Sequence, residues 1–469
     1  MDARRSNLAS TEVVQTLSEV DRGGAPHQRG MRAIILSEPI ALALLTILAA
    51  LTRLYRLGDF PYFPAQPPWV GSTAYPGLYT DEGARLSEIA LFPHSLTTYE
   101  PSIQILLVKI SQFLIAQSYF ADRLPSALAS ILTAVVVYLA AKQLYGGRVP
   151  PLVAGLYFVT MVPALIYGRM IFYENLVGLF LAIVILSVAK SEGAGGVKWI
   201  YIGALASLLA VFSKEDGLFI PMFFTLWVSS RKESRGRLLS LAVVWVPMIL
   251  AGIVILGLTG SLSAFVSQWG FGTTGRELSF DFMVIQALPS AYDVVAGGYF
   301  KPEFWYIFAY VCLAALVLAR SKAGLILSEV MVLYFVLQVA IWGMSPYEVI
   351  SVFPILAIAV GGGVGYLAKL GTPGGLAVYG ALYAPLVASL VNSIALTYVG
   401  GVWVNYPLSL FKYALFVIPI ADWLMLSRLS GKNKAKDISL VKVVLVCFMG
   451  LLILGTPWLY SYYFLGTTI

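Results

Sequence analysis

The sequence predicts an all-α polytopic membrane protein with about 13 transmembrane helices. Of its 469 residues, 59% are hydrophobic and 12% are charged. A soluble globular chain carries roughly 25% charged residues, about twice that share. The apolar residues form long uncharged blocks, and a block of about 20 such residues crosses the hydrocarbon core as a helix. The alternation of apolar and polar residues that a closed barrel needs is not seen, so helices are expected to satisfy the backbone in lipid.

The apolar blocks and the breaks between them predict the individual spans. In chain order, these are residues 33–54, 123–145, 150–168, 174–190, 199–213, 218–230, 238–259, 303–320, 324–343, 346–369, 373–399, 407–428 and 438–460. The predicted organisation is an N-terminal tail (1–32), a first transmembrane module (33–260) that includes an outer loop (55–122), a second outer loop (261–302), and a C-terminal transmembrane module (303–469).

The charge distribution predicts the orientation in the membrane. Basic residues concentrate in the tail and in alternate loops, such as the cluster at 231–237. Because cytoplasmic loops carry the excess of Lys and Arg, we expect a cytoplasmic N-terminus in the cell membrane. The same asymmetry explains the formal charge of +7, so the bilayer is the expected partner and nucleic acid is not.

Three apolar features predict how the helices pack. Cys312 lies in an apolar block, where it is expected to pack as a small hydrophobic residue. Gly361, Gly362 and Gly363 are expected to let helices approach closely. The stretch 101–117 in the first outer loop is expected to form a helix along the membrane surface.

Adjacent carboxylates stand out in the first outer loop, in the segment YTDEGARLSE. They belong to Asp81 and Glu82, and a short helix is predicted to begin at Glu82 or Gly83. A carboxylate at the membrane surface can act as a general base or bind a cation. The alternative is that the pair only caps the helix N-terminus.

Further ionisable residues recur on the same predicted side, near the ends of spans. They are Glu100, Arg123, Arg169, Glu174, Lys214 and Glu348. Charges at membrane depth are costly and usually functional, which favours a shared polar cavity over a set of solvated turn residues. Its cations would hold a lipid phosphate and its carboxylates would act on a polar acceptor. His94 is either a metal ligand near Asp81 and Glu100 or a surface residue.

An ordered series of motifs resembles a known family. The series is YTDEG, YEPS, ADRLPSALAS, YGRMIFYENLVGLF and FSKEDGLFIP, followed later by YEVISVFPILAIAV. In this order they resemble the polyprenyl-phosphate-sugar-dependent glycosyltransferases of the GT-C superfamily, in the group of protein O-mannosyltransferases and aminoarabinose transferases. The motifs cover residues 75–230, and the remainder resembles the family by hydropathy.

The resemblance implies an inverting glycosyltransferase with a GT-C-like fold, whose first module is catalytic. It would transfer a sugar, with mannose as one candidate, from a polyprenyl- or dolichyl-phosphate-linked donor. The acceptor would be a hydroxyl of a protein or glycolipid at the extracytoplasmic face. By the same resemblance Asp81 is the general base and Glu82 its motif partner.

The resemblance also implies roles for four further residues. Arg85, Arg169 and Lys214 would bind the donor phosphate, and Glu100 would line the cavity, where a divalent metal ion is a candidate cofactor. His94, as a candidate metal ligand, and Arg123, Glu174 and Glu348 belong to the predicted site by their position among the outer ionisable residues.

The sequence departs from the family pattern at two places, and two other hypotheses stay open. Ser102 stands where much of the group has a second proline, and Glu215 and Asp216 add acids beside Lys214. A multispan transporter or flippase for a lipid-linked or anionic substrate would also carry ionisable residues in a cavity. An inactive scaffold of the same fold is the third hypothesis.

Overall fold

The computed structural model describes residues 38–59, 80–91, 103–192, 196–230, 234–258, 303–337 and 348–369, which contain helices and turns and no strand. In chain order the helices of these ranges are α1 (Glu38–Leu54), α2 (Thr80–Ala90), α3 (Ile103–Ile115), α4 (Tyr119–Tyr145), α5 (Val149–Thr160), α6 (Val162–Tyr167), α7 (Glu174–Lys190), α8 (Gly196–Ser213), α9 (Phe219–Ser229), α10 (Ser234–Leu258), α11 (Glu303–Leu318), α12 (Lys322–Leu337) and α13 (Phe353–Lys369). Two 3₁₀ turns, Glu215–Leu218 and Glu348–Val352, precede α9 and α13.

The predicted all-α membrane class is confirmed. Within the described ranges, four helical stretches are long and apolar enough to cross a membrane: Tyr119–Tyr145, Gly196–Ser213, Gly236–Val254 and Val349–Leu367. The predicted spans 373–399, 407–428 and 438–460 and the second outer loop lie outside these ranges, so the count of thirteen stays a prediction.

The centre of the bundle is built from α4, α7 and α13. Helix α7 packs against α4 and α8, and α13 packs against α5 and α11. A Cβ on Gly361 would lie 2.6 Å from the carbonyl oxygen of Pro150, and one on Gly363 would lie 2.5 Å from Cβ of Cys312. Cys312 itself is fully buried. Both packing predictions, for the glycines and for Cys312, are therefore confirmed.

The predicted span 150–168 is not one helix. It divides at Met161, whose ψ of 110° leaves the helical region, into α5 and α6. Pro163 stands two residues after Met161 and has no amide hydrogen to continue the hydrogen bonds of α5. The break positions the turn after α6, which carries Arg169.

The predicted start of α2 is corrected by two or three residues. The helix begins at Thr80 rather than at Glu82 or Gly83, so that both acidic residues fall in its first turn. Acidic residues are favoured there because the N-terminus of a helix carries partial positive charge.

Helix α3 confirms that the stretch 101–117 is helical. Ile105 and Val108 on one face are buried, whereas Phe113 and Leu114 are 89% and 72% exposed. An apolar outward face suits contact with lipid. Its placement along the membrane surface stays a prediction.

Candidate active site

Several helix ends and turns meet at one end of the bundle. They are the end of α1, helix α2, the start of α4, the turn between α6 and α7, and the residue before the first 3₁₀ turn. Hydrogen bonds between side chains and backbone, described below, connect these segments. The end of the bundle that they form carries most of the described residues that the sequence singled out.

A buried ion pair joins α2 to α4. The guanidinium of Arg123 donates from Nε and Nη2 to the two carboxylate oxygens of Glu82, over 2.9 and 2.8 Å. Arg123 also donates to the carbonyl of Leu57, and the amide of Ile171 donates to Glu82. Glu82 is 0% exposed and Arg123 is 1% exposed. This two-point contact fixes the first turn of α2 on the bundle.

Two buried arginines bind the carboxyl ends of helices. Arg169 donates to the carbonyls of Thr52 and Tyr55 at the end of α1, over 2.9 and 2.6 Å. Arg53 donates to the carbonyls of Phe158 and Val159 at the end of α5. The last carbonyls of a helix lack hydrogen-bond donors within the helix. Each arginine therefore caps the C-terminus of a neighbouring helix.

A third cluster fixes Arg85 on the outer side of α2. Its Nη1 donates to Glu88 over 3.0 Å, and the hydroxyl of Tyr173 donates to the same carboxylate over 2.7 Å. The guanidinium carbon lies 4.3 Å from the centroid of the Tyr173 ring. Arg85 keeps 20% of its side chain exposed. Arg85 is therefore less buried than Arg123 and Arg169, which are each 1% exposed.

The start of α7 is paired with the residue that follows α8. The ammonium of Lys214 donates to Glu174 over 2.7 Å, and the two side chains are 5% and 2% exposed. Asn175 donates to the carbonyls of Tyr167 and Phe172, which closes the turn between α6 and α7. The pair connects the start of α7 to the end of α8 in the protein interior. Removing one of the two charges would leave the other buried without a partner, which lowers the free energy of unfolding.

Helix α3 is connected to the start of α4 by polar contacts. The amide of Gln112 donates to Asp122 over 2.8 Å, and that of Gln104 donates to Ser126. The Ser118 hydroxyl accepts from the amide of Ala121 and caps α4. The outer loop is thus attached to the bundle through α3 as well as through α2.

The structure brings together only part of the predicted site. Glu82, Arg85, Arg123, Arg169, Glu174 and Lys214 lie at the bundle end described above. Asp81 lies in the first turn of α2 and Glu348 opens the second 3₁₀ turn, with their side chains outside the described part. Glu100 and His94 also lie outside it. Among the described residues, no group of three or more His, Cys, Asp or Glu side chains is arranged to hold a metal ion.

Sequence analysis missed three members of this end: Glu88, Tyr173 and Arg53. A signal existed for Glu88, because it follows Arg85 by three residues, a spacing that places two side chains together on a helix. Arg53 lies inside a predicted span, where a charge is a functional or structural marker. For the aromatic ring of Tyr173 the sequence carries no local signal, since its partners lie about 85 residues away.

These helices define a membrane protein with the GT-C-like fold that the sequence predicts. The structure is similar to the crystal structure of ArnT from Cupriavidus metallidurans in the apo state, with a TM-score of 0.59 and 15% sequence identity over 92% of this chain and 78% of that chain. It is also similar to ArnT bound to undecaprenyl phosphate, with a TM-score of 0.53 and 16% identity over 92% and 79% of the two chains.

A family profile adds a similarity at the level of sequence. Residues 100–258, which include α3 to α10, match the family described as dolichyl-phosphate-mannose-protein mannosyltransferase. No curated protein matches the chain by sequence. The family match and the structural similarity to ArnT both agree with the predicted resemblance to the GT-C superfamily.

Proposed function

We propose that the chain is a membrane glycosyltransferase that moves a sugar from a polyprenyl-phosphate-linked donor to a hydroxyl of an acceptor, with Asp81 as general base. The buried pair of Glu82 and Arg123 carries this proposal. It fixes the first turn of α2 on α4, and Asp81 is the adjacent residue in that turn. A general base has to be held at hydrogen-bond distance from its substrate, so a rigid support beside it is expected.

The donor class is supported by fold and by charge. ArnT, which has a similar fold, is bound to undecaprenyl phosphate in one of its structures. In this chain Arg85, Arg169 and Lys214 supply cations at the same end of the bundle as α2. We propose that these cations hold the donor phosphate while its lipid chain stays in the bilayer. Arg85 is the best placed of the three, because Arg169 and Lys214 are only 1% and 5% exposed.

The proposed reaction is a single displacement. Asp81 accepts the proton of the acceptor hydroxyl, whose oxygen forms a bond to the anomeric carbon of the sugar. The bond from that carbon to the phosphate oxygen breaks, and its electron pair leaves with the polyprenyl phosphate. The configuration at the anomeric carbon is thereby inverted. Nearby cations stabilise the charge that develops on the leaving phosphate.

Mannose and a protein acceptor are the first pair to test. The description of the matching family names both dolichyl-phosphate-mannose and protein. A glycolipid acceptor is tested beside it. The charge distribution supports the extracytoplasmic face as the side of the proposed reaction.

The test is release of free polyprenyl phosphate by the purified protein in lipid nanodiscs. A panel of polyprenyl-phosphate-linked sugars, including mannose and aminoarabinose, is incubated with an extract of membranes and secreted proteins. Parallel reactions contain a divalent cation or a chelator, because Glu100 and His94 are proposed metal ligands. We expect release from one donor, dependent on the extract. Movement of intact lipid-linked sugar across a liposome membrane, without cleavage, would instead identify a transporter.

A further inference from the structure

We infer that Glu88 and Tyr173 are positioning residues for Arg85, and that the orientation they impose makes Arg85 the main ligand of a lipid-linked phosphate. This inference rests on the proposed function, because the phosphate is that of its donor. Glu88 and Tyr173 lie within the motifs YTDEGARLSE and YGRMIFYENLVGLF, but neither was among the predicted site residues.

The three side chains form a closed triangle. Arg85 Nη1 lies 3.0 and 3.3 Å from the two oxygens of Glu88. The Tyr173 hydroxyl donates to the second of these oxygens over 2.7 Å. The guanidinium lies over the ring of the same tyrosine, 4.3 Å from its centroid. The ring therefore covers one side of the guanidinium, and the carboxylate holds its Nη1 nitrogen.

This arrangement is more than a pair of neighbours on one helix. An exposed Arg and Glu spaced by three residues contact each other only weakly. Here Tyr173 joins from the turn before α7, and it is 0% exposed, while Glu88 is 6% exposed. The carboxylate is consequently held from two segments of the chain, and it holds Arg85 in turn.

Exposure distinguishes Arg85 from the other proposed phosphate ligands. Its side chain is 20% exposed, compared with 5% for Lys214. An arginine has five donors in a planar fork, which suits the oxygens of a phosphate group. A guanidinium that neighbouring residues already hold in place loses less conformational entropy when the ligand binds.

Glu88 also carries a negative charge beside the cation of Arg85. Its removal therefore has opposite expected effects on phosphate binding under two different roles. If Glu88 acts by position, removing its side chain should weaken phosphate binding. If it acts only as a competing charge, the same change should strengthen binding. The neutral isostere Glu88→Gln separates the two, since its amide oxygen can accept from Arg85 while its NH2 group donates to the hydroxyl of Tyr173.

The experiment measures binding of undecaprenyl phosphate to the full chain in nanodiscs, with undecaprenol as the probe that lacks the phosphate. The variants are Glu88→Ala, Glu88→Gln and Tyr173→Phe. Asp59→Asn is the matched control, because Arg56 and Asp59 have the same spacing as Arg85 and Glu88 but are exposed. Thermal unfolding confirms that each variant is folded.

We expect Glu88→Ala to weaken binding of undecaprenyl phosphate by about five- to twentyfold. Glu88→Gln should stay within about threefold of the wild type, because it keeps the orientation. Tyr173→Phe keeps the ring and loses the hydroxyl, so an intermediate loss is expected. Undecaprenol binding and the Asp59→Asn control should not change. In turnover, the loss should appear in KM for the donor rather than in kcat.

Two results overturn the inference, and they can be told apart from failure of the proposed function. Binding by Glu88→Ala as tight as that of the wild type, or tighter, would show a structural or competing role for Glu88. If the wild type itself binds undecaprenyl phosphate no better than undecaprenol, the proposed donor class is wrong. The proposed function and the inference about Arg85 are then both wrong. If the wild type binds the phosphate but cleaves no donor, the transferase proposal fails while the variants still decide the role of Glu88.

Discussion

At the scale of single residues, buried ion pairs define the candidate site. Arg123 donates two short hydrogen bonds to Glu82, and both side chains have almost no solvent exposure. Each charge is stable there only because the other is present. The free energy of such a pair is modest, whereas removing one partner leaves a buried charge without compensation.

Replacing Glu82 by Ala is therefore expected to destabilise the fold by about 3–5 kcal/mol. The double change Glu82→Leu with Arg123→Met should restore much of that loss, because no charge stays buried. Thermal unfolding in detergent measures both. The exposed control Asp59→Asn should change the free energy of unfolding by less than about 0.5 kcal/mol. A Glu82→Ala protein as stable as that control would contradict the anchoring role of the pair.

Lys214 tests whether a buried cation serves the fold or the donor. Lys214→Met leaves Glu174 unpaired, so we expect a loss of stability. Adding Glu174→Leu should restore stability. If Lys214 contributes to donor binding as proposed, KM for the donor should stay raised in the double variant. A double variant with the KM of the wild type would assign Lys214 a purely structural role.

At the scale of elements, the packing of α13 in the bundle depends on close contacts with its neighbouring helices. Three consecutive glycines of α13, Gly361, Gly362 and Gly363, face α5, α4 and α11 at distances that leave no room for a methyl group. The sequence predicted this packing from the three consecutive glycines. Which helices they would contact was not predictable, because small residues carry no signature of their partner.

Two glycines of α13 form a matched pair for mutation. An added Cβ on Gly363 would lie 2.7 Å from the backbone of Cys312, whereas one on Gly365 would have no neighbour within 4 Å. We expect Gly363→Ala to cost about 1–3 kcal/mol through overpacking. Gly365→Ala should be neutral or stabilising, since alanine favours helices. Unfolding of both variants is the measurement, and equal stabilities would argue against the close contact with α11.

Element boundaries were predictable where a charge marks them. The predicted span 174–190 coincides with α7, which begins at Glu174 and ends at Lys190. The span 150–168 was wrong as a single helix although Pro163 was visible, because hydropathy continues through the break. Hydropathy reports the solvent around a segment rather than its backbone geometry.

At the scale of the whole molecule, class and fold were predictable from composition, apolar blocks and the order of motifs. The pairing within the site was not. Arg169 and Lys214 were predicted as phosphate ligands from the resemblance to the GT-C superfamily. Their actual partners are helix carbonyls and Glu174, which lie about 114 and 40 residues away in the sequence. Such partners depend on how helices pack, which hydropathy does not encode.

The predicted orientation in the membrane is tested by labelling. In a background without Cys312 and Cys447, single cysteines replace Ser234 in the basic cluster and Thr274 in the second outer loop. A membrane-impermeant maleimide should label Thr274→Cys in intact cells and Ser234→Cys only after permeabilisation, because basic loops stay in the cytoplasm. The opposite labelling pattern would place the proposed site on the cytoplasmic face.

The most direct test of the central claim compares Asp81→Asn with the wild type in donor cleavage and in donor binding. Asparagine keeps the shape of the side chain and cannot accept the proton at neutral pH. The proposal predicts that release of polyprenyl phosphate falls by about 10²- to 10⁴-fold while binding of undecaprenyl phosphate is unchanged. An Asp81→Asn protein that cleaves the donor at the rate of the wild type would show that Asp81 is not the general base.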